Sequence, residues 1–443
     1  MKLALVCALV IGGMTPISAP AAQCSWQAGW VKAENAKVGN KGWDSDVPLR
    51  FSADFSRRKN TQRIEGYFDQ TSIGCGQSAS LKIVGAKSAD ITLYRIGYYH
   101  GAGARLVQTI KSATKITATQ STPPGQYLVK LKSPGRVSTF VPLLIRGVSK
   151  SEITFVSSVL TWQAYNQWGG VSLYKGADGM RETKANSVSF DRPYDGDGAG
   201  QFRYMEQPLV QMIEQLGLDV NYLTDIDLDK APEIDSASIV LGGHSEFWTQ
   251  SMRDVIEKEI NQGTNLLIFG GNTAYAKTEL DGRVMNNRVP YREINQPESN
   301  FMGSQFFALG IKKDLEVQVE SRWPFSVLGK AALIKGIYGY EADTAMGTKG
   351  PGIEVLARAS ISPTEKGFVA MSTYYTAPSG AGVLNLGTNA WVCAMANRCP
   401  WGHTFDAQSM KQIRLVTAAI VKQAGRKKIG NWRPAFIDIP TRN

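Results

Sequence analysis

The amino-acid sequence predicts two parts, an antiparallel β-sandwich followed by a doubly wound α/β domain with a parallel sheet. Three observations predict this arrangement. The 443 residues exceed one domain, for which about 150 residues is usual. Residues 23–148 carry short runs in which apolar and polar residues alternate. After residue 148, continuous apolar runs alternate with segments whose apolar residues recur at helical spacing. We therefore predict domains at 23–148 and 149–430, with a β-rich insertion at about 283–376 and a C-terminal tail at 431–443.

Short strands in the first part are expected to form an Ig-like sandwich. The runs that combine alternating polarity with β-branched or aromatic residues are 80–84, 91–96, 126–132 and 138–145. Clusters of proline and glycine separate them, as at Pro123-Pro124-Gly125 and Pro134-Gly135. Several short strands with turn signals at intervals of about 8–12 residues are typical of an antiparallel sandwich.

Strands and helices alternate in the second part. Apolar runs predict buried strands at 153–160, 220–223, 237–241, 265–269 and 381–386. Apolar residues at helical spacing predict helices at 208–216, 249–262 and 409–424. Short connections between such elements build a parallel sheet, and ligands bind beyond the carboxyl ends of its strands.

The N-terminal residues have the pattern of a secretory signal peptide. Lys2 precedes an apolar run at 3–14, and small residues follow up to Ala22. We predict that residues 1–22 are cleaved and that the protein is periplasmic or secreted. The apolar run is shorter than the roughly 20 residues that span a bilayer, and no later stretch is apolar enough, so we expect no integral membrane segment.

Cysteine usage agrees with an oxidising compartment. Cys7 would leave with the signal peptide, and the even set that remains predicts disulfides. Cys393 and Cys399 are close in sequence and would close a small loop, which leaves Cys24 to pair with Cys75. The other pairings remain open, because spacing does not determine connectivity.

The formal net charge of +11 bears on the class of partner. It is compatible with affinity for acidic envelope polymers or for anionic lipid surfaces. The basic residues are scattered and do not form an aromatic-interleaved stripe, so we expect no nucleic-acid partner. The sequence leaves open whether the chain forms a homo-oligomer.

The Gly242-Gly243-His244-Ser245-Glu246 turn is the strongest candidate for an active centre. It follows the predicted strand at 237–241, and polar segments at 161–174 and 270–272 follow two other strands toward the same edge of the sheet. An imidazole and a carboxylate in this turn could bind a metal or act as general acid and base. Alternatively, Ser245 or Glu246 caps the next helix and His244 only packs nearby. Serine catalysis is disfavoured, because the Gly-x-Ser-x-Gly motif is absent.

Three tyrosines, Tyr165, Tyr174 and Tyr194, lie between the first predicted strand and the first predicted helix of the second part. A phenolate is a hard oxygen donor that suits ferric iron, and a carboxylate would complement it. The alternative is that these rings form a pocket wall or part of the core.

Together these segments resemble the large-subunit family of N,N-dimethylformamidase. The resemblance rests on 98–107, 162–174, 189–194, 222–228, 242–248 and 270–272, and it covers about 67–272. It implies a β-sandwich joined to a flavodoxin-like domain of the class I glutamine-amidotransferase type. It also implies hydrolysis of a small tertiary formamide at a mononuclear iron held by two tyrosines and a glutamate.

The resemblance assigns the iron ligands by motif. Glu246 matches the glutamate and Tyr165 matches one tyrosine. For the second tyrosine we predict Tyr194, with Tyr174 as the alternative, because the loop that carries it varies in length.

The resemblance also implies roles beside the iron for His244 and Asn272, which with Glu246 form the predicted catalytic set. His244 would move a proton, and Asn272 would orient the substrate or the tetrahedral oxygen. No further acidic residue matches near Thr388-Asn389. The expected function is an exported, iron-dependent hydrolase of an amide C–N bond, acting on a small-molecule amide or an envelope polymer. A non-catalytic envelope or carbohydrate-binding protein that keeps the fold is the alternative. Glycoside hydrolysis by paired carboxylates is a third and weaker hypothesis, because Glu246 lacks an obvious partner at predictable spacing.

Overall fold

The structure, a computed structural model, describes residues 26–51, 62–147, 150–330, 332–346, 351–360, 367 and 369–440. Within these ranges the protein is a mixed α/β structure with more strand than helix. The helices are α1 (Trp30–Asn35), α2 (Val159–Tyr165), α3 (Gly200–Met205), α4 (Gln207–Gln215), α5 (Asp225–Asp229), α6 (Gln250–Gln262), α7 (Ser299–Met302), α8 (Ala390–Ala394), α9 (Ala407–Ala424) and α10 (Ile429–Trp432).

The strands form five sheets within the described residues. In chain order they are β1 (Glu65–Phe68), β2 (Ser72–Ile73), β3 (Ser78–Val84), β4 (Asp90–Ile96), β5 (Ala104–Ile110), β6 (Lys115–Thr117), β7 (Gly125–Lys132), β8 (Thr139–Ile145), β9 (Ser151–Ser157), β10 (Ser187–Ser189), β11 (Val220–Thr224), β12 (Ser236–Leu241), β13 (Phe247–Trp248), β14 (Asn265–Ile268), β15 (Ala276–Asp281), β16 (Val284–Pro290), β17 (Ser304–Leu309), β18 (Lys313–Val317), β19 (Leu333–Tyr338), β20 (Glu341–Ala345), β21 (Glu354–Ala359), β22 (Met371–Thr376) and β23 (Gly382–Asn385).

Two sheets make up the first part, one ordered β2-β8-β7-β4-β5 and the other β1-β3-β6. The four strands predicted there are confirmed as β3, β4, β7 and β8, within two residues at each end. Side chains from both sheets, such as Val129 and Leu81, share one hydrophobic cluster. The opposite face of the larger sheet is also buried, because Leu128, Phe140 and Leu144 pack into the core of the rest of the molecule.

A nine-stranded sheet forms the second part, in the order β11-β9-β12-β14-β23-β22-β21-β18-β19. The first five strands are mutually parallel, and the other four continue the sheet with antiparallel pairing. The predicted strand at 153–160 is too long. β9 ends at Ser157, and Val159 and Leu160 belong to α2, because an apolar run alone does not distinguish a buried strand from a buried helix.

The chain enters a small sheet, ordered β10-β16-β15-β13, directly after the candidate turn at 242–246. Its strand β13 follows Glu246 and pairs with β15, and only then does α6 begin. Thr249 caps α6, because its hydroxyl accepts a hydrogen bond from the amide of Met252 at 3.2 Å. The candidate turn therefore does not serve as the helix cap, which was the alternative to a functional role.

The predicted disulfide between Cys393 and Cys399 is confirmed. Cys75 also forms a disulfide, but its predicted partner Cys24 lies outside the described residues, as does the predicted signal peptide at 1–22. Across the described ranges, none of the helices combines the length and the apolar character needed to cross a membrane.

Candidate active site

The candidate turn and the segment after β14 lie against each other at the carboxyl end of the parallel sheet. β12 and β14 are neighbours in that sheet, so the residues that follow them emerge side by side. A Cβ atom at Gly270 would lie 2.7 Å from the carbonyl oxygens of both Gly242 and Gly243, which explains the glycine there. The close approach positions Glu246 and Asn272 at one site.

Glu246 is the centre of this site and is only 1% exposed. The Tyr165 hydroxyl donates a hydrogen bond to Glu246 Oε2 at 2.7 Å, and the Tyr174 hydroxyl donates one to Oε1. The two tyrosine rings stack with their centroids 4.3 Å apart. Arg288, in β16, also donates to Oε1 at 3.3 Å. Two phenols and a cation thus converge on one buried carboxylate.

Among the described residues, Tyr174 and Tyr165 are the tyrosines that donate hydrogen bonds to Glu246, and Tyr194, the predicted second ligand, does not. The chain after α2 doubles back, because the amide of Leu173 donates to the carbonyl of Ala164 at 3.0 Å and so brings Tyr174 next to Tyr165. Tyr194 instead packs edge-on against Trp162, with centroids 6.1 Å apart.

His244 lies beside Tyr165, with ring centroids 5.3 Å apart. Its Nε2 is 3.0 Å from Glu341 Oε2 and 3.7 Å from Glu246 Oε2, although neither contact is aligned as a hydrogen bond. Burial alone would lower the pKa of His244, but the carboxylates of Glu341 and Glu246 outweigh it and raise the pKa above the ordinary value. The imidazole is therefore biased toward its protonated form.

Sequence reasoning missed Glu341, which begins β20. Its Oε2 accepts hydrogen bonds from Asn389 Nδ2 at 3.0 Å and from Asn272 Nδ2 at 3.3 Å. Asn389 belongs to the segment where no acidic residue could be matched, and it holds this carboxylate in place. No motif marks Glu341, because it reaches the site through the pairing of β20 with β17 inside the predicted insertion.

Asp343 supports the site by accepting two hydrogen bonds. One of its carboxylate oxygens accepts the backbone amide of Asn272 at 2.8 Å, and the other accepts Asn385 Nδ2 at 2.8 Å. Burial raises the pKa of Asp343 to about 6. These bonds hold Asn272 in a left-handed conformation with a φ of 55°, which aims its side chain toward Glu341.

A cavity of about 680 Å³ opens onto these groups. Glu246, Glu341 and Asn272 lie at its buried end, where their exposure is 6% or less. The volume is in the range of roughly 300–1,000 Å³ that small-molecule sites usually have. The polar cluster is therefore accessible to a ligand from solvent.

The donor set suits a hard trivalent cation. Burial, together with the Glu246 carboxylate, raises the pKa of Tyr165 and of Tyr174 well above the ordinary value, so both phenols keep their protons in the absence of a cation. A cation in the place of those protons would meet three oxygen donors, the ligand type that ferric iron favours. In the described part of the chain, no group of three His, Cys, Asp or Glu side chains could hold a metal, so a metal site here requires the tyrosines.

Comparison with known proteins agrees with the resemblance seen in the sequence. No curated protein matches the chain. The family model described as N,N-dimethylformamidase beta subunit-like, C-terminal, matches residues 111–401, which include every residue of the site. Because the match covers more than half of the 443 residues, the chain belongs to this N,N-dimethylformamidase beta subunit-like family.

Proposed function

We propose that the protein is an exported hydrolase of an amide C–N bond that uses one ferric iron held by Tyr165, Tyr174 and Glu246. The observation that carries the proposal is the convergence of two buried phenols on one buried carboxylate at the end of an open cavity. Membership of the family supports a dimethylformamidase-like hydrolase. Export rests on the signal-peptide pattern at 1–22.

We also propose the finer architecture, an Ig-like sandwich joined to a flavodoxin-like domain of the class I glutamine-amidotransferase type. In chain order the parallel strands are β9, β11, β12, β14 and β23, and their spatial order corresponds to 2-1-3-4-5. This order is that of flavodoxin-like folds, in which ligands bind beyond the carboxyl ends of the strands. The candidate site occupies that location.

The residues around the iron site have separable roles in the proposed reaction. When bound, ferric iron would supply Lewis acidity toward an amide carbonyl and acidify a water molecule. His244, whose pKa the neighbouring Glu341 raises, would give a proton to the departing amine nitrogen. The carbonyl oxygen of the Asn272 side chain is buried without a hydrogen-bond partner among the described residues and can accept a bond from water or substrate.

Iron content and the visible spectrum of the purified protein test the proposal, together with hydrolysis of N,N-dimethylformamide. We expect near-stoichiometric iron and a phenolate charge-transfer band in the wild type. Tyr174→Phe and Glu246→Gln should lose bound iron, and with it the band and about 100-fold in activity, because each removes one of the three ligands. Tyr194→Phe is the matched control and should retain both, because its ring packs on Trp162.

A wild-type protein that stays colourless and metal-free after loading with iron would contradict the proposal. Saturable binding of that metal-free protein to acidic envelope polymers would then favour the alternative, a non-catalytic envelope or carbohydrate-binding protein, which the charge of +11 permits.

A further inference from the structure

The cavity is larger than a small formamide requires. Its volume of about 680 Å³ matches sites that enclose drug-sized ligands, so a small formamide at Glu246 would leave most of it filled with water. A larger substrate would fill this volume and contact its wall. The side chains of the wall therefore indicate which chemical groups such a substrate carries.

The wall is aromatic. Tyr275, Phe306, Phe307 and Tyr340 line the cavity. Tyr275 packs edge-on against Phe306 with centroids 5.6 Å apart, and the Arg288 guanidinium lies 5.3 Å from the centroid of Tyr275. These contacts hold part of the wall in a fixed orientation, as a preformed surface for a planar apolar group.

The outer end of this wall is apolar and open to solvent. Leu309 lines the cavity and is 59% exposed. An exposed apolar residue that continues a concave aromatic wall is typical of a surface that contacts a ligand. A substrate group bound here would extend from the reaction centre toward the exposed end.

Charged residues line both ends of the cavity. At the buried end Arg288 is paired with Glu246, and Glu341 lies nearby, whereas the exposed end is lined by the cations Lys175 and Arg181. Within the described residues, the Arg181 guanidinium has no carboxylate partner. At the exposed end, the Arg181 guanidinium therefore presents positive charge toward an incoming ligand.

The loop that carries these two cations is tied to the reaction centre. The amide of Gly176 donates to the carbonyl of Met180 at 2.8 Å, and the amide of Ala185 donates to the carbonyl of Ser172 at 2.9 Å. These bonds close the loop at its base, next to Tyr174. The acids on the same loop, Asp178 and Glu182, do not line the cavity.

We propose that the substrate is an amide with an aromatic group beside the scissile bond and an anionic group, such as a carboxylate, that faces Arg181. This inference rests on the proposed hydrolase function. It assigns the aromatic wall and the cationic rim to substrate selection, and it leaves the scissile bond at Glu246.

Paired substrates test this substrate class on the iron-loaded, full-length enzyme. The neutral amide is formanilide, its anionic counterpart is 4-formamidobenzoate, and N,N-dimethylformamide is the small reference. We expect kcat/KM to rise at least about tenfold from N,N-dimethylformamide to formanilide, and about threefold more with the carboxylate, because an exposed ion pair contributes modestly.

Variants of the cationic loop then locate the anionic group. Arg181→Gln should remove most of the threefold preference for 4-formamidobenzoate over formanilide, through KM. Lys184→Gln is the matched control, since Lys184 is on the same loop and does not line the cavity. It should leave the preference unchanged.

Each outcome has a distinct meaning. Equal kcat/KM for the two aromatic amides, or a preference that survives Arg181→Gln, would overturn the anionic subsite. N,N-dimethylformamide as the best substrate would overturn the substrate class while supporting the proposed function. If no amide is hydrolysed, the proposed function fails, and calorimetric binding of 4-formamidobenzoate to wild type and Arg181→Gln still decides whether the subsite exists.

Discussion

Glu206 is a buried acid that the proposed reaction does not use. One of its oxygens accepts the indole N–H of Trp162 at 2.9 Å and the amide of Ser158 at 3.0 Å, and the other is buried without a hydrogen-bond partner among the described residues. Burial raises the pKa of Glu206 to about 8. The folded protein therefore holds this carboxyl protonated at neutral pH.

The raised pKa of Glu206 predicts a pH-dependent stability. The folded state binds this proton more tightly than the unfolded state, so its contribution is complete below about pH 4.5 and is lost as pH rises toward 8. Glu206→Gln keeps the acceptor for Trp162 and removes the charge. At pH 8 we expect it to increase the free energy of unfolding by about 1–3 kcal/mol in urea titrations. An equal or lower stability than wild type at pH 8 would refute this.

Glu341 is a second residue whose charge can be tested, because it raises the pKa of His244. Replacing its carboxylate with an amide in Glu341→Gln removes the main charge that raises the pKa of His244. If protonated His244 serves the reaction, the alkaline limb of kcat/KM should move to lower pH by about one unit or more. The pH profile of the iron-loaded variant measures this shift.

Glu257→Gln is the control for the Glu341 experiment, because Glu257 pairs with Arg253 on α6 and does not line the cavity. Its alkaline limb should coincide with that of the wild type. An alkaline limb that does not move in Glu341→Gln would mean that another group supplies the proton.

At the scale of elements, the contact between the turns after β12 and β14 determines the geometry of the site. Gly270→Ala would place a Cβ atom 2.7 Å from two backbone carbonyl oxygens, so one of the turns must move. We expect a loss of about 1–3 kcal/mol in stability and a larger proportional loss of bound iron, since Glu246 moves with its turn. Denaturant titration and metal analysis measure the two effects.

Gly282→Asn provides a comparison for that variant. Gly282 has a φ of 58°, which asparagine tolerates, and nothing lies within 4 Å of an added Cβ. It should retain iron and most of its stability. Full iron content in Gly270→Ala would show that the contact does not position Glu246.

Sequence patterns predicted most elements because their periodicity reports burial directly. The alternating runs became β3, β4, β7 and β8, and the strong helical period became α6. The same patterns did not reveal that the chain after α2 doubles back to place Tyr174 at Glu246. Nor did they reveal Glu341, since strand pairing between distant segments leaves no local signal.

At the scale of the molecule, a buried ion pair joins the two parts. Arg95 in β4 and Glu214 in α4 are 2.6 Å apart and fully buried, and Tyr222 in β11 also donates to Glu214 at 2.6 Å. Glu214→Gln would leave Arg95 without its compensating charge. We expect a loss of about 3–5 kcal/mol in urea unfolding, whereas the double variant Arg95→Met with Glu214→Leu should lose less.

Equal losses in the single and double variants would show that packing around this pair, not its charge, accounts for the effect. Lys111→Gln is a suitable reference, because its pair with Asp90 is exposed and should contribute little.

The large sheet of the first part has apolar side chains on both faces, and one face packs into a core that includes the second part. Trp43 of the first part lies against Phe140 there, with ring centroids 5.4 Å apart. Cutting the chain near residue 148 would therefore remove part of the cover from Leu128 and Leu144, and the fragment would tend to self-associate. Domain insertion, circular permutation or domain exchange at that position could expose the same apolar side chains. In protein engineering, the two parts should therefore be kept together in one polypeptide, although the hydrophobic periodicity of the sequence changes between them.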